Sequence, residues 1–225
     1  MKNIKIDLHL HSPVSRSNGD SIKWDSWYDS ISSLKNNGIK IAAFSDHNRF
    51  DPKYYLEGFD LAKSAGILLL PAIEANVVRT DGIIANLIYI FDANLSLEKL
   101  NLISEIAKLK LHKRGISLSE SMVIFEDFET IKIPHVGKSD YFKSADLKQI
   151  DYDAIEITNE KHFNYLAVLK EGIKTSVVAF SDTHIWKSYP QQNKLITVID
   201  KIDGISFNHL KQVFKNNKNY TKRRF

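Results

Sequence analysis

The sequence predicts an α/β protein, a parallel sheet or barrel in one domain, on three observations. Short β-like runs alternate with helical periodicities from end to end. No repeat, low-complexity stretch or linker interrupts them. A length of 225 residues suits a single substantial core, since α/β barrels commonly reach that size as one unit.

The first strand is read over residues 4–11, where Ile4, Ile6, Leu8 and Leu10 alternate with Lys5, Asp7, His9 and His11, giving one apolar face and one face bearing chemistry. A helix over 21–35 follows, with Trp24, Trp27, Ile31 and Leu34 at helical spacing and Gly38 just past its end. The second strand covers 39–46. Asp51-Pro52, an N-cap followed by proline, opens a helix to residue 64, ahead of Gly66. The third strand covers 67–74, with Pro71 expected at an irregularity. The turn Thr80-Asp81-Gly82 leads into a fourth strand over 83–91. A long helix over 96–113 is built on Leu97, Leu100, Ile103, Ile106 and Leu109, and a shorter one spans 119–128. Strands over 131–136, 154–158 and 176–182 complete a set of seven, with helices over 163–171 and 207–214. Residues 1–214 are thus the barrel domain. The basic tail, 215–225, reads as a frayed solvated end, with contact to a phosphate backbone as the alternative.

Composition excludes several classes. Lys and Arg number 31 against 27 Asp and Glu, a net charge of +4 that tolerates anions without by itself indicating nucleic acid. There is no cysteine, so disulfides and thiolate ligands are ruled out and any metal site must use imidazole and carboxylate. The opening segment lacks an apolar run fit for a signal peptide, and no stretch approaches the roughly 18 residues of a membrane span. The expectation is a cytoplasmic protein without membrane partners.

His9 and His11 stand two apart on one strand, a spacing that lets both rings reach one ion, and Asp7 on the same face could hold a histidine tautomer. Other polar residues recur at the ends of strand-like runs: Asp46 and His47, Glu74, His135, and Asp182 with His184. Parallel barrels carry their active sites at that end. Grouping so many ionisable side chains is costly unless charge compensates charge, which points to metal. His112, His162 and His209 lie on or beside helices without matching acids and read as structural or solvated. Glu156 either lines the pocket or serves as a structural carboxylate; Arg114, Arg223 and Arg224 read as surface charges.

At these residues the chain resembles the PHP family, the polymerase and histidinol phosphatase superfamily of metal-dependent phosphoesterases. The motifs DLHLHS (7–12), FSDHN (44–48), LPAIEA (70–75), IPHV (133–136) and FSDTH (180–184) stand in family order over nearly the whole chain. The resemblance implies a distorted seven-stranded TIM-like (β/α) barrel with two or three divalent ions: zinc, manganese or iron. A first ion would take His9, His11, Glu74 and Asp182; a second would share Glu74 and add His135; a third would take His47 and His184, with Asp7 and Asp46 as outer partners. Two departures stand out. Ser15-Arg16-Ser17 replaces a usual Ser-Asp-Gly, leaving Asp20 as a substitute ligand, and Asn86 stands where many members have a histidine.

The implied activity is hydrolysis of a phosphate ester by metal-bound hydroxide, on a small phosphomonoester or, in nuclease fashion, a nucleic acid end. Arg16, just after His11, reads as a phosphate clamp, with an ordinary surface charge as the alternative. No nucleophile-elbow or P-loop pattern competes with this reading. The alternatives are an amidohydrolase-type metal hydrolase and a non-catalytic binding or regulatory domain.

Overall fold

The strands expected from alternation all form, in a computed structural model that describes residues 3–13, 26–190, 193–200 and 205–223. Arg16, Asp20, Trp24 and Arg224 lie outside these residues, as does the start of the first expected helix. The strands are β1 (Asn3–Leu10), β2 (Ile39–His47), β3 (Leu68–Val78), β4 (Ile84–Phe91), a short β5 (Ile116–Ser117), β6 (Thr130–Gly137), β7 (Ala154–Ile157) and β8 (Ser176–Val178). Two more follow, β9 (Leu195–Asp200) and β10 (Asn219–Arg223). The sheet order is β10-β9-β1-β2-β3-β4-β6-β7-β8, with β5 beside β3.

The sheet curls until its ends nearly meet. Beyond β8 the chain runs alongside β1, where Leu10 and Thr183 form a parallel bridge, the His11 N–H donates to the Thr183 carbonyl, and the Asp182 N–H donates to that of His9. Below this seam β9 is antiparallel to β1, and Thr197 exchanges hydrogen bonds with Ala179. The result is a nearly closed, barrel-like α/β sheet.

Helices α1 (Trp27–Asn36), α2 (Pro52–Ser64), α3 (Leu97–Lys110), α4 (Leu118–Val123), α5 (Ser144–Leu147) and α6 (Phe163–Lys170) lie along the chain between strands, and α7 (Phe207–Lys215) joins β9 to β10. Asp51 caps α2 by accepting from the Lys53 and Tyr54 N–H groups, as its sequence signal implied, and Ser117 with Glu120 forms a capping box on α4. No helix among the described residues is long and apolar enough to cross a membrane.

Two large apolar clusters and a small third one, of Ile157, Ala179 and Leu195, make up the interior among the described residues. One large cluster gathers Ile4, Ile6 and Leu8 with Ile41, Leu70, Ile88, Ile131, Val178 and their alternate neighbours, and α7 adds Phe207, Leu210 and Phe214. This is the barrel's own core, and α7 stoppers the end where the Ser176 hydroxyl donates to the Phe214 carbonyl at 2.6 Å. The other large cluster holds the outward alternates, such as Leu69, Ile73 and Leu87, against the helices. Each fully buried aliphatic side chain contributes about 1.5–3 kcal/mol.

Four local expectations are corrected. β4 runs antiparallel to both β3 and β6, because the turn at Gly82 (φ 81°) returns the chain directly instead of through a helix. Pro71 causes no register break; pairing with β4 starts only at Ala72, so its missing N–H falls where β3 has one partner strand. The last of the seven expected strands stops at Val178 because the chain there leaves β7 for the seam with β9 and β1. The tail is not frayed at 219–223: these residues pair with β9 from Asn219↔Ile199 to Arg223↔Leu195.

At the top of β6, Gly137 packs directly on β7. A Cβ there would lie 2.6 Å from Ile157 Cγ2 and 3.1 Å from its Cα. Gly137→Ala is therefore expected to destabilise the fold by about 1–3 kcal/mol through overpacking, measured by denaturant unfolding. An unchanged midpoint would mean that the two strands separate there at no cost.

Candidate metal centre

Strand register assembles a cluster of imidazoles and carboxylates at one mouth of the barrel. His47 stands opposite Glu74 in the β2–β3 ladder, and His135 opposite Glu156 in the β6–β7 ladder. The inward face of each strand turns from apolar to polar near this end. Leu70 and Ala72 precede Glu74, Ile131 and Ile133 precede His135, and Val178 and Phe180 precede Asp182. On the reversed β4 the same order reads backwards, from Ile90 and Ile88 to Asn86.

Strict alternation fails on β1, and the failure is useful. A register shift against β2 between Asp7 and Leu10 inserts an extra residue, so Leu8 stays in the barrel core while Leu10 joins the outer cluster. His9 and His11 are thereby turned inward. Asp7, expected on their face, accepts instead from the Ser181 N–H and the Tyr189 hydroxyl, both at 3.0 Å. The acceptor beside His9 Nδ1 is Glu156, at 2.9 Å.

All seven residues expected as ligands converge. His9 Nε2 lies 3.2 Å from both Glu74 Oε2 and Asp182 Oδ1, and His11 Nε2 lies 3.5 and 3.3 Å from the same two oxygens. His47 Nδ1 is 3.0 Å from Glu74 Oε2, and His184 Nε2 is 3.2 Å from Asp182 Oδ1. His135 Nε2 is 3.5 Å from Glu74 Oε1 and 3.2 Å from Glu156 Oε2. The His11 and His184 rings stack at 3.8 Å. Asp46 sits 3.9 Å from His11 Nδ1 while accepting from both the N–H and hydroxyl of Ser12. The backbone is left-handed at Asn48 (φ 54°) and Asp182 (φ 51°), a conformation that favours glycine, at the two turns that carry His47 and His184.

Asn86 meets this centre through its amide nitrogen. Its side-chain amide donates to Glu74 Oε1 at 2.7 Å, because a carboxylate can only accept, and it therefore orients the glutamate. Two members of the cluster are not among the expected ligands. Glu156 had a faint signal, its place on the inward face at the end of a strand. Lys138 had none, since a lysine just after a strand is ordinarily solvated. Here its ammonium is buried 2.7 Å from Asp182 Oδ2. His162 caps α6 and His209 lies on α7, both away from the cluster.

Burial works against charge on His9, yet Asp182, Glu156 and Glu74 outweigh it and raise its pKa well above the usual histidine value. Glu74 is held well below the carboxylate range despite its burial, by His9, His47 and His135. Asp182 is also held down against burial, chiefly by His9 and Lys138. Burial lowers His47 and His135, which keeps imidazole nitrogens neutral and able to ligate.

The donor set fits divalent ions. Among the described residues, His9 Nε2, His11 Nδ1, Glu74 Oε2 and both ring nitrogens of His135 are buried with close polar contacts but no well-aligned hydrogen bond, and each such atom costs about 1–3 kcal/mol unless something satisfies it. Among the described residues, three groups bring their ligand atoms within 4.8 Å of one another: His9, His11 and Glu74; His11, His47 and His184; and His9, His135 and Glu156. Imidazole with carboxylate suits zinc, manganese and iron. The deep members are nearly sealed, whereas the side chains of His47, His184 and Asp182 are 31, 21 and 30 % exposed, so they form the open side.

No protein-family model matches the sequence, and no curated protein matches it. Solved structures do match. A candidate metal-dependent phosphoesterase from Bifidobacterium adolescentis superposes with a TM-score of 0.57 at 12 % identity, over 84 % of this chain and 90 % of that one. A two-domain protein from Bacteroides vulgatus, containing a predicted PHP-like metal-dependent phosphoesterase, gives 0.62 at 11 % identity, over 99 % of this chain and 65 % of its own. An amidohydrolase from Chromobacterium violaceum, with bound sulfate and no metal, gives 0.56 at 13 % identity, over 80 % and 87 %. The chain thus has the fold of PHP-like phosphoesterases, a distorted TIM-like barrel.

An ion at 100 times its dissociation constant stabilises a folded chain by about 2.7 kcal/mol. Protein reconstituted with zinc or manganese is expected to melt higher than the same protein treated with a chelator, and Glu74→Gln to lose most of that difference together with bound metal. Elemental analysis and thermal unfolding check this; no metal on the reconstituted wild type would refute the centre.

Proposed function

We propose that the chain is a metal-dependent phosphoesterase that hydrolyses a terminal phosphate ester, on a small phosphomonoester or at a nucleic acid end. The observation that carries this reading is the shape of the cluster: deep nitrogen and oxygen donors left unsatisfied, beneath an edge of His47, Asp182 and His184 open to solvent. Likeness in fold to the Bifidobacterium and Bacteroides proteins supports it.

Bound divalent ions would lower the pKa of water and neutralise the phosphoryl group. Within the chain, Glu74 Oε2 lies among His9, His11 and His47 and would help hold bound ions, while Asn86 and Glu156 fix the orientation of Glu74 and His9. Asp182 joins the sealed interior to the open edge. Because the deep donors are out of solvent, substrate reaches the centre end-on, which favours a terminal phosphate over the middle of a polymer. Arg16 remains part of this proposal as a phosphate clamp.

A second reading, hydrolysis of an amide or related bond, is favoured by the likeness to the Chromobacterium amidohydrolase. One panel separates the two: nucleoside mono- and bisphosphates, histidinol phosphate, short single-stranded DNA, and amide and carboxylic ester substrates, each assayed with zinc, manganese or iron. Phosphate release is expected, with turnover falling by about two orders of magnitude or more in a folded Asp182→Asn protein. Amide turnover without phosphate release would favour the second reading. Inactivity on every substrate would favour a binding role.

A further inference from the structure

Lys138 follows directly on Gly137, which packs so closely on Ile157 that a side chain would not fit there. Its side chain is buried, at 5 % exposure. The ammonium lies 2.7 Å from Asp182 Oδ2, 3.2 Å from His9 Nδ1 and 3.5 Å from Glu156 Oε1. Those three contacts border the group formed by His9, His135 and Glu156, one of the three that could hold a cation.

The atoms of that group are also differently engaged. His9 Nδ1 faces Glu156, which leaves Nε2 as the nitrogen directed at Glu74 and Asp182 Oδ1. Asp182 divides in the same way: Oδ2 is held by Lys138, and Oδ1 faces the Nε2 atoms of His9, His11 and His184. A divalent ion between His135 and Glu156 would meet a fixed positive charge at close range, in a setting where water does not screen it. In the His9–His11–Glu74 group Lys138 meets His9 through Nδ1, the ring atom turned away from Glu74, whereas at the corner it meets both His9 and Glu156.

We propose that Lys138 is a built-in cation that takes the place of one metal ion, with a single charge, at the corner bounded by Glu156, Asp182 and His135, so that this corner binds no ion. The centre then takes metal only at the His9–His11–Glu74 and His11–His47–His184 groups, and Lys138 acts as a positioning residue that reserves Asp182 Oδ1 for them. The inference rests on reading the cluster as a metal centre.

The test counts ions. Full-length wild type, Lys138→Met and Lys138→Arg are stripped, reconstituted with manganese, desalted and measured by elemental mass spectrometry, with isothermal titration as a second count. Lys138→Met is expected to bind one more ion per chain than wild type, and Lys138→Arg the same number as wild type. Equal counts for wild type and a folded Lys138→Met protein overturn the proposal. So does a manganese anomalous peak between His135 and Glu156 in wild-type crystals, a result that needs no variant to fold. Wild type that binds no manganese by either count overturns the metal-centre reading itself, whereas wild type with metal and no gain in Lys138→Met overturns only the role of Lys138.

Discussion

Glu74 and Glu156 are carboxylates removed from water at the mouth of a barrel, and a buried charge of that kind persists only where cations or hydrogen-bond donors answer it. The surroundings of both acids follow from this requirement. His9 lies against each of them, His135 spans the gap between them, Asn86 turns its amide toward Glu74, and Lys138 is drawn out of solvent to stand near Glu156 and Asp182. None of these side chains could move alone without leaving a partner exposed in a medium of low polarity. The cluster is therefore one electrostatic unit rather than a collection of separate ligands.

That unit is positioned by the backbone. The pairings His47↔Glu74 and His135↔Glu156 are ladder positions, so a slip of one residue in either ladder would turn a ligand out of the mouth and a neighbouring apolar side chain into it. Apolar alternates lower in the same strands, plugged by α7, make such a slip costly. Stability and chemistry are thus stacked along one axis: an oily plug below, a charged cap above.

Much of this was legible in sequence because both layers follow a period of two. Alternation in 70–74 and 131–135 gives the plug and the cap together, and Asp51-Pro52 marks its helix without ambiguity. What escaped has physical reasons. The bulge in β1 is a property of pairing with β2, so the face of Asp7 was misjudged while the histidines were not. The reversal of β4 depends on how the turn at Gly82 folds back, which hydrophobic pattern does not encode. Lys138 lies outside any strand and acquires its meaning only from Asp182, 44 residues further along the chain. β10 reads as a polar tail because its partner, β9, was itself not recognised as a strand.

The reversed β4 also shapes how such a barrel can change. Because β3 and β4 are joined by a hairpin, the turn from Arg79 to Ile83 projects from the end of β3 that bears Glu74, at the rim. It is clamped there from outside the cluster, by Arg79 on Asp81 and the Tyr141 carbonyl and by Thr80 on Asp146. A connection of this kind can lengthen or shrink while both strands keep their ladders. The rim beside the centre can therefore be re-cut to admit different molecules, with the donors beneath left where they are.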